Sequence, residues 1–323
     1  MYAALHPSRS EVIAIRSHDY HVRHWGTACP EQPLVVLVHG WMDVAASWQF
    51  MVDALAGTTL AERLICAPDW RGFGLSRERL VQVKHPSHYG QADHYWFADY
   101  LADLDQLIPQ LNTQAGRPAD APVDLIGHSM GGNVAMMYAG VRPERIRRLV
   151  NLEGFGMPAS RPSQAPGRLA KWLDAVDEIS RGALTLKTYD SLEGVARRLM
   201  KTNPRLSADK AMWLAQHWSA PNEQGQWEIL GDPAHKVIHA HLYRVEEVLE
   251  VWKRITAPLL VVEAEDDSLA QWFRQGEYTR AEFHQRLQAV PHCQRHVVPD
   301  AGHMLHHDQP QALAQLLEDF LAT

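Results

Sequence analysis

Gly127-His128-Ser129-Met130-Gly131 constrains the fold of this chain more than any other stretch. A strand-forming run, Val123-Asp124-Leu125-Ile126, leads into it. Gly132-Asn133-Val134-Ala135-Met136-Met137-Tyr138, a helix former by composition, follows it. Strand, G-x-S-x-G and helix in that order put the serine on a sharp turn. Small residues two before and two after it let strand and helix approach without a side-chain clash. The helix that starts there aims its first N–H groups at the same space. A bare G-x-S-x-G also occurs by chance in turns, and it is the flanking strand and helix that make Ser129 a nucleophile candidate.

The segments on either side read as an alternation. Glu11 to Arg16 and His21 to Trp25 form a hairpin pattern around Ser17-His18-Asp19-Tyr20. Leu34 to Val38 is a continuous apolar strand of the kind buried on both faces of a parallel sheet. Val44 to Leu55 is a helix candidate, Arg63 to Ala67 a strand, and Arg71 to Gly90 a loop broken by Gly72, Gly74 and Pro86. Ala92 to Leu111 has helical spacing. Met130 to Gly140 is a helix and Ile146 to Leu152 a strand. Strands alternating with helices predict an α/β class built on a mostly parallel central sheet flanked by helices.

The alternation stops after Glu153. A Gly- and Pro-rich stretch, helical segments near Arg168 to Ser180, Leu192 to Met200 and Ser207 to Trp218, and a turn-rich Pro221 to Pro233 follow. The last stretch has room for a small irregular hairpin. The alternation resumes with the strand Leu259 to Glu263, the helix Tyr278 to Gln288, the strand Arg295 to Val298 and the helix Gln309 to Leu321. We therefore expect a core from residues 1–155 and 245–323 and a mainly helical inserted cap from residues 156–244. Insertions at the carboxyl edge of such a sheet sit where open α/β sheets bind ligands.

Composition narrows the function classes. In 323 residues, 46% hydrophobic and 21% charged, the balance is that of a soluble globular protein. A formal charge of -7 without a basic block speaks against nucleic acid or an anionic membrane as partner. No segment approaches 18 apolar residues, and the first sixteen residues lack the pattern of a signal peptide, so neither membrane insertion nor secretion is expected. Cys29, Cys66 and Cys293 make neither a disulfide framework nor a C-x-x-C pair, which predicts the reducing cytoplasm. Eleven tryptophans are unusual. Trp172, Trp213, Trp218 and Trp227 fall in the inserted region, where they could line an apolar pocket or simply pack small helices.

A serine nucleophile needs a base, an acid and oxyanion donors. His303, in the loop after the last strand, is the candidate base. The chain order nucleophile, acid, histidine puts that base late. His292, His296, His306 and His307 read as ordinary surface or helix-start histidines, and His128 as structural or pocket-lining. Asp267, deepest in Glu265-Asp266-Asp267 after the strand ending near Glu263, is the preferred acid. Asp266 is one alternative and Glu153, at the end of the strand after the serine helix, is another. The N–H of Met130 supplies one oxyanion donor. Trp41, in His39-Gly40-Trp41-Met42-Asp43, supplies the second, with Asp43 as a helix-start residue. Asp69 and Arg71 read as a buried structural pair in a rigid loop. His235, His239 and His241 have metal-like spacing but no H-E-x-x-H. No phosphate loop or dinucleotide fingerprint is present, so neither metal nor organic cofactor is expected.

Taken together these pieces resemble the α/β-hydrolase family. His39-Gly40-Trp41 looks like its oxyanion motif and Asp69-x-x-Gly72-x-Gly74-x-Ser76 like its D-x-x-G-x-G-x-S loop. Gly127 to Gly132 matches its elbow and Gly302-His303 its catalytic histidine. In that family the acid commonly follows a segment like G-E-x-D. Ala264-Glu265-Asp266-Asp267 carries that role to Asp267, with alanine where glycine is usual, while some relatives place the acid where Glu153 sits. Gln226-Trp227-Glu228 with Asp232-Pro233 looks like a segment of serine-hydrolase-like members. The resemblance implies a capped serine hydrolase that cleaves carboxylic esters of small to medium, apolar groups; whether it works as monomer or homodimer is left open by the sequence. The alternatives are a C–C bond, lactone or amide hydrolase on the same triad, and a non-catalytic binding protein on this fold.

Overall fold

A computed structural model describes residues 2–79, 89–274 and 276–322. Pro86, one of the expected loop breakers, lies outside the described residues. The strands are β1 (Arg9–Ile15), β2 (His18–Trp25), β3 (Val35–Val38), β4 (Ile65–Pro68), β5 (Arg77–Glu78), β6 (Val123–His128), β7 (Ile146–Leu152), β8 (Thr188–Tyr189), β9 (Ser219–Pro221), β10 (Trp227–Ile229), β11 (Leu259–Ala264) and β12 (Cys293–Val298). The main sheet runs β1-β2-β4-β3-β6-β7-β11-β12, with the short β5 added beside β2. From β4 to β12 every pairing is parallel. The hairpin β1–β2 joins antiparallel at one edge.

Period two along continuous apolar strands explains why the sheet is covered twice. Val36, Val38, Leu125, Leu149, Leu259 and Val261 point into one core, and Val35, Leu37, Ile126, Val150, Leu260 and Val262 into the other. The first core is closed by α2 (Phe97–Gln114), α3 (Met130–Val141), α7 (Val245–Trp252) and α9 (Arg280–Leu287). The second is closed by α1 (Gln49–Ala54), α10 (Leu305–Asp308) and α11 (Pro310–Ala322). Their buried side chains, such as Leu104, Leu107 and Leu111 on α2, recur at helical spacing.

Two helices differ from the sequence expectation. Residues 44–55 split into a 3-10 turn at Ala45–Trp48 and the short α1. Asp43 accepts the N–H of Val44 at 2.9 Å and Asp69 that of Ala45 at 2.7 Å, so side chains take the first donors and the turn winds tightly. Helix α2 starts at Phe97 rather than Ala92. Tyr95, just before it, is held by Asp232 at 2.8 Å and stacks on His235.

Between β7 and β11 the chain leaves the sheet. It forms α4 (Ala165–Ser180), α5 (Leu192–Thr202), α6 (Ala208–Trp218) and a three-stranded sheet in the order β8-β10-β9. The β9–β10 pairing is the small hairpin that the turn-rich stretch predicted. A separate core of Val195, Ala196, Leu199, Leu206, Ala211, Leu214 and Ala215 joins α5 to α6 and reaches Phe50 of α1. Trp213, Trp218 and Trp227 pack on this core, whereas Trp172 of α4 donates to His94 at 3.1 Å. The four tryptophans therefore do not line one pocket. Back in the sheet, the short helix α8 (Ser268–Trp272) follows β11.

Candidate active site

Ser129 sits between β6 and α3 with φ 53° and ψ -116°, a conformation that costs a side-chain-bearing residue of order 1–3 kcal/mol. The surroundings hold it there. A Cβ on Gly127 would lie 2.3 Å from the Gly131 carbonyl oxygen, and one on Gly131 would lie 2.3 Å from that of Val38. Only glycine permits this contact of strand, turn and helix. The Ser129 N–H donates to the Leu152 carbonyl at 2.8 Å and ties the turn to the end of β7.

Glu153 follows Leu152 and is also left-handed, at φ 55°. Asn151 pins this second turn, accepting the Gly154 N–H at 2.9 Å and donating to the Gly154 carbonyl at 2.8 Å. The Glu153 carboxylate is thereby turned inward. It accepts the Ala264 N–H at 2.7 Å on one oxygen and the Ser268 hydroxyl at 2.5 Å on the other. The second oxygen also lies 3.3 Å from His303 Nδ1. Burial pushes the Glu153 carboxyl up to about 7, against the opposing pull of the Ser268 and Ala264 bonds.

His303 lies in the loop between β12 and α10. Its carbonyl oxygen accepts from His128 Nε2 at 2.8 Å, and the two rings are 4.7 Å apart. This bond docks the His303 loop beside the serine turn. Burial holds the His303 imidazole well below its ordinary pKa, so the ring is neutral near pH 7. The edge of Trp272 meets the ring at 4.3 Å, and the indole is 48% exposed. Among the described residues, Ser129 Oγ and His303 do not share a hydrogen bond.

The acidic run after β11 is placed otherwise. Asp267, the preferred acid on sequence grounds, caps α8 through the Ala270 N–H at 3.1 Å and lies 3.7 Å from Arg280. Asp266 pairs with Arg205 at 2.7 Å, and Glu265 accepts the Asp300 N–H at 2.8 Å. Each of the three is thus engaged away from His303. A helix starting at Ser268 turns Asp267 into an N-cap, and the Ser268 hydroxyl points to Glu153 instead.

The loop after β3 closes the other side. A Cβ on Gly40 would come within 3.2 Å of both Ser129 Cβ and His128 Nδ1. His39 is fully buried. Its Nδ1 donates to the Gly40 carbonyl at 2.7 Å and its Nε2 accepts the Trp70 N–H at 2.9 Å, which assigns the tautomer. Trp41 is 52% exposed, with its indole N–H 3.4 Å from the His235 carbonyl. Asp69 and Arg71 are both buried, but they do not pair with each other. Asp69 accepts from His21 and the Leu75 N–H, both at 2.8 Å, and Arg71 holds Asp103 at 2.6 Å and 2.7 Å. His235 lies flat between Phe73 and Tyr95, and His239 contacts His94. Trp272, Ser268 and Asn151 escaped the sequence reading. A polar Asn151 in an otherwise apolar strand, two residues before Glu153, was the available signal.

Known proteins resemble this chain in sequence, and solved structures resemble it in fold. The model of the alpha/beta hydrolase family matches residues 35–316. The serine hydrolase-like protein of Danio rerio is 23% identical over 292 residues, covering 89% of this chain and 81% of that protein. The sn-1-specific diacylglycerol lipase ABHD11 of Mus musculus is 22% identical over 304 residues, covering 90% and 81%. Among solved structures, the thioesterase domain from the curacin biosynthetic pathway matches with a TM-score of 0.77 at 25% identity, over 96% of this chain and 99% of that domain. A doubly covered parallel sheet, a strained serine between strand and helix, and a family match over most of its length lead to one conclusion: this chain belongs to the α/β-hydrolase family.

Proposed function

We propose that this protein is a carboxylic ester hydrolase in which Ser129 is the nucleophile, His303 the base and Glu153 the acid. The observation that carries the reading is the contact of His303 Nδ1 with a buried carboxylate, in a loop docked against the serine turn. In the first step Ser129 Oγ attacks the ester carbonyl carbon and its proton passes to His303 Nε2. The carbonyl oxygen gains the charge and lies between the N–H groups of Met130 and Trp41. Neither of these donates a hydrogen bond within the chain among the described residues, so both are free for an oxyanion. Collapse expels the alcohol, which takes the proton from His303, and leaves an acyl-serine. Water then gives a proton to His303 and attacks the acyl carbon, and collapse breaks the bond to Ser129 Oγ, which takes that proton back from His303 as the acid is released.

Glu153 holds the Nδ1–H tautomer and stabilises the imidazolium that forms transiently. The exposed indoles of Trp41 and Trp272 favour a small to medium apolar group on the substrate. Residues 156–244 act as a cap over this end of the sheet in our reading, with α4 presenting Leu169 and Leu173 to solvent. No helix among the described residues is long and apolar enough to cross a membrane. The three free cysteines fit work in the cytoplasm. The test is turnover of p-nitrophenyl esters of graded acyl length beside a vinylogous diketone, a lactone and an anilide. Esters are expected to lead in kcat/KM. A diketone, lactone or anilide that outruns every ester overturns the ester assignment while keeping the triad.

A further inference from the structure

Behind the serine turn, three side chains that take no part in the proposed bond-making or proton transfers meet in the interior. Asp43 follows β3, His128 ends β6, and His306 lies on α10 three residues after His303. They are 4%, 2% and 0% exposed. Asp43 Oδ2, His128 Nδ1 and both ring nitrogens of His306 are buried without a hydrogen-bond partner among the described residues. One potential ligand atom from each residue lies within 4.8 Å of those of the other two. Buried polar atoms are nearly always paired, so four unpaired ones in one place call for an occupant.

The lone pairs say what kind of occupant fits. His128 Nε2 faces the His303 carbonyl oxygen, which can only accept, so Nε2 carries the proton and Nδ1 a lone pair. The Asp43 Oδ1 oxygen is taken by the Val44 N–H, the Trp218 indole and the Ser47 hydroxyl, which leaves Oδ2 free. Two acceptors therefore converge beside His306, whose ring carries one N–H and one lone pair and can offer the lone pair from either nitrogen. A ligating histidine that donates its other N–H to a backbone carbonyl is the usual outer shell of such sites, and His128 already makes that bond.

We propose that Asp43, His128 and His306 form a binding site for one divalent transition-metal ion of the zinc class. Two imidazoles and one carboxylate suit that class and leave a coordination position for water. Ligands of a tetrahedral zinc ion lie roughly 3.3–3.5 Å from one another, so uptake draws donors that are up to 4.8 Å apart together by about 1 Å. His306 has no hydrogen bond to break on turning, though its ring packs against Trp48, His128 and His307. The ion would join the loop after β3, the serine turn and the segment after His303. This inference does not depend on ester turnover.

The test uses the whole chain, stripped with a chelator and titrated with Co²⁺ or Zn²⁺. We expect one ion per chain to survive desalting, Co²⁺ visible bands that Zn²⁺ displaces, and a higher Tm with either ion. His306→Ala and Asp43→Asn should lose all three effects. If His306→Ala does not fold, Asp43→Asn, which keeps the side-chain shape, carries the comparison. A crystal of the Zn²⁺-treated protein should show an anomalous peak among the three donors. Failure to retain metal, unchanged binding in the folded variants, or an ordered water in place of the peak overturns the proposal.

Discussion

Replacing Glu153 with glutamine keeps the shape of the side chain and one of its acceptor oxygens. The Ala264 N–H, now 2.7 Å from a carboxylate oxygen, can still be accepted by the amide oxygen. The group then facing His303 Nδ1 and the Ser268 hydroxyl is an amide NH₂, which donates. His303 must turn its lone pair toward it and carry its proton on Nε2, the wrong tautomer to receive a proton from Ser129. Wrong-tautomer substitutions of a triad acid cost about 10⁴-fold in kcat. The His303–Glu153 contact is 3.3 Å, at the long edge for such a bond, so we place the loss near the lower end, about 10³-fold or about 4 kcal/mol in the barrier. Asp267→Asn is the matched control. Asparagine caps a helix as well as aspartate, so Asp267→Asn should keep kcat within about tenfold. Steady-state hydrolysis of a p-nitrophenyl ester by both purified variants, with folding checked by circular dichroism, decides the matter. A larger loss in Asp267→Asn than in Glu153→Gln would refute the assignment of the acid.

Three further outcomes follow from the same geometry. The kcat/KM of the wild type should rise with pH through a limb near 7, because the Glu153–His303 pair must lose a proton before His303 can act; a rate that is flat from pH 5 to pH 9 contradicts this. The Glu153 carboxyl is raised from 4.5 to about 7, so its contribution to stability is full below pH 4.5 and fades as pH rises through 7, by about 3 kcal/mol at most. Glu153→Gln should therefore gain Tm relative to wild type at pH 8.5 more than at pH 5, and an equal difference at both pH values removes the linkage. Gly131→Ala puts a Cβ 2.3 Å from the Val38 carbonyl and 2.6 Å from that of His39, so strand and helix must part; we expect about 1–3 kcal/mol of lost stability by denaturant unfolding, and an unchanged midpoint would refute the close packing of the turn.

Much of this molecule is legible without coordinates, for identifiable reasons. Runs such as Leu34 to Val38 and Leu259 to Val262 read as parallel strands because burial on both faces removes every polar position from them. The serine turn is legible because its glycines sit where no Cβ fits. What sequence left open depends on rotations that no local pattern records. Asp267 and Glu153 both follow sheet strands, and either could face a histidine. The left-handed turn at Glu153, pinned by Asn151, aims one carboxylate inward, whereas the start of α8 turns the other into a cap. Asp69 and Arg71 were legible as buried but not as separately paired, since their partners His21 and Asp103 come from β2 and α2. The convergence of Asp43 and His306 on His128 joins segments 85 and 178 residues from the elbow histidine and leaves no spacing to read.

The covalent role of Ser129 is tested most directly by intact-mass and peptide mass spectrometry after treatment with a fluorophosphonate. The wild type should take up one adduct, mapped to Ser129 in the peptide containing Gly127-His128-Ser129-Met130-Gly131, and lose ester turnover in step with labelling. Ser129→Ala should take up none and hydrolyse no ester above the uncatalysed rate. Ester turnover at wild-type level in Ser129→Ala, or an adduct mapped to another residue, would contradict the account.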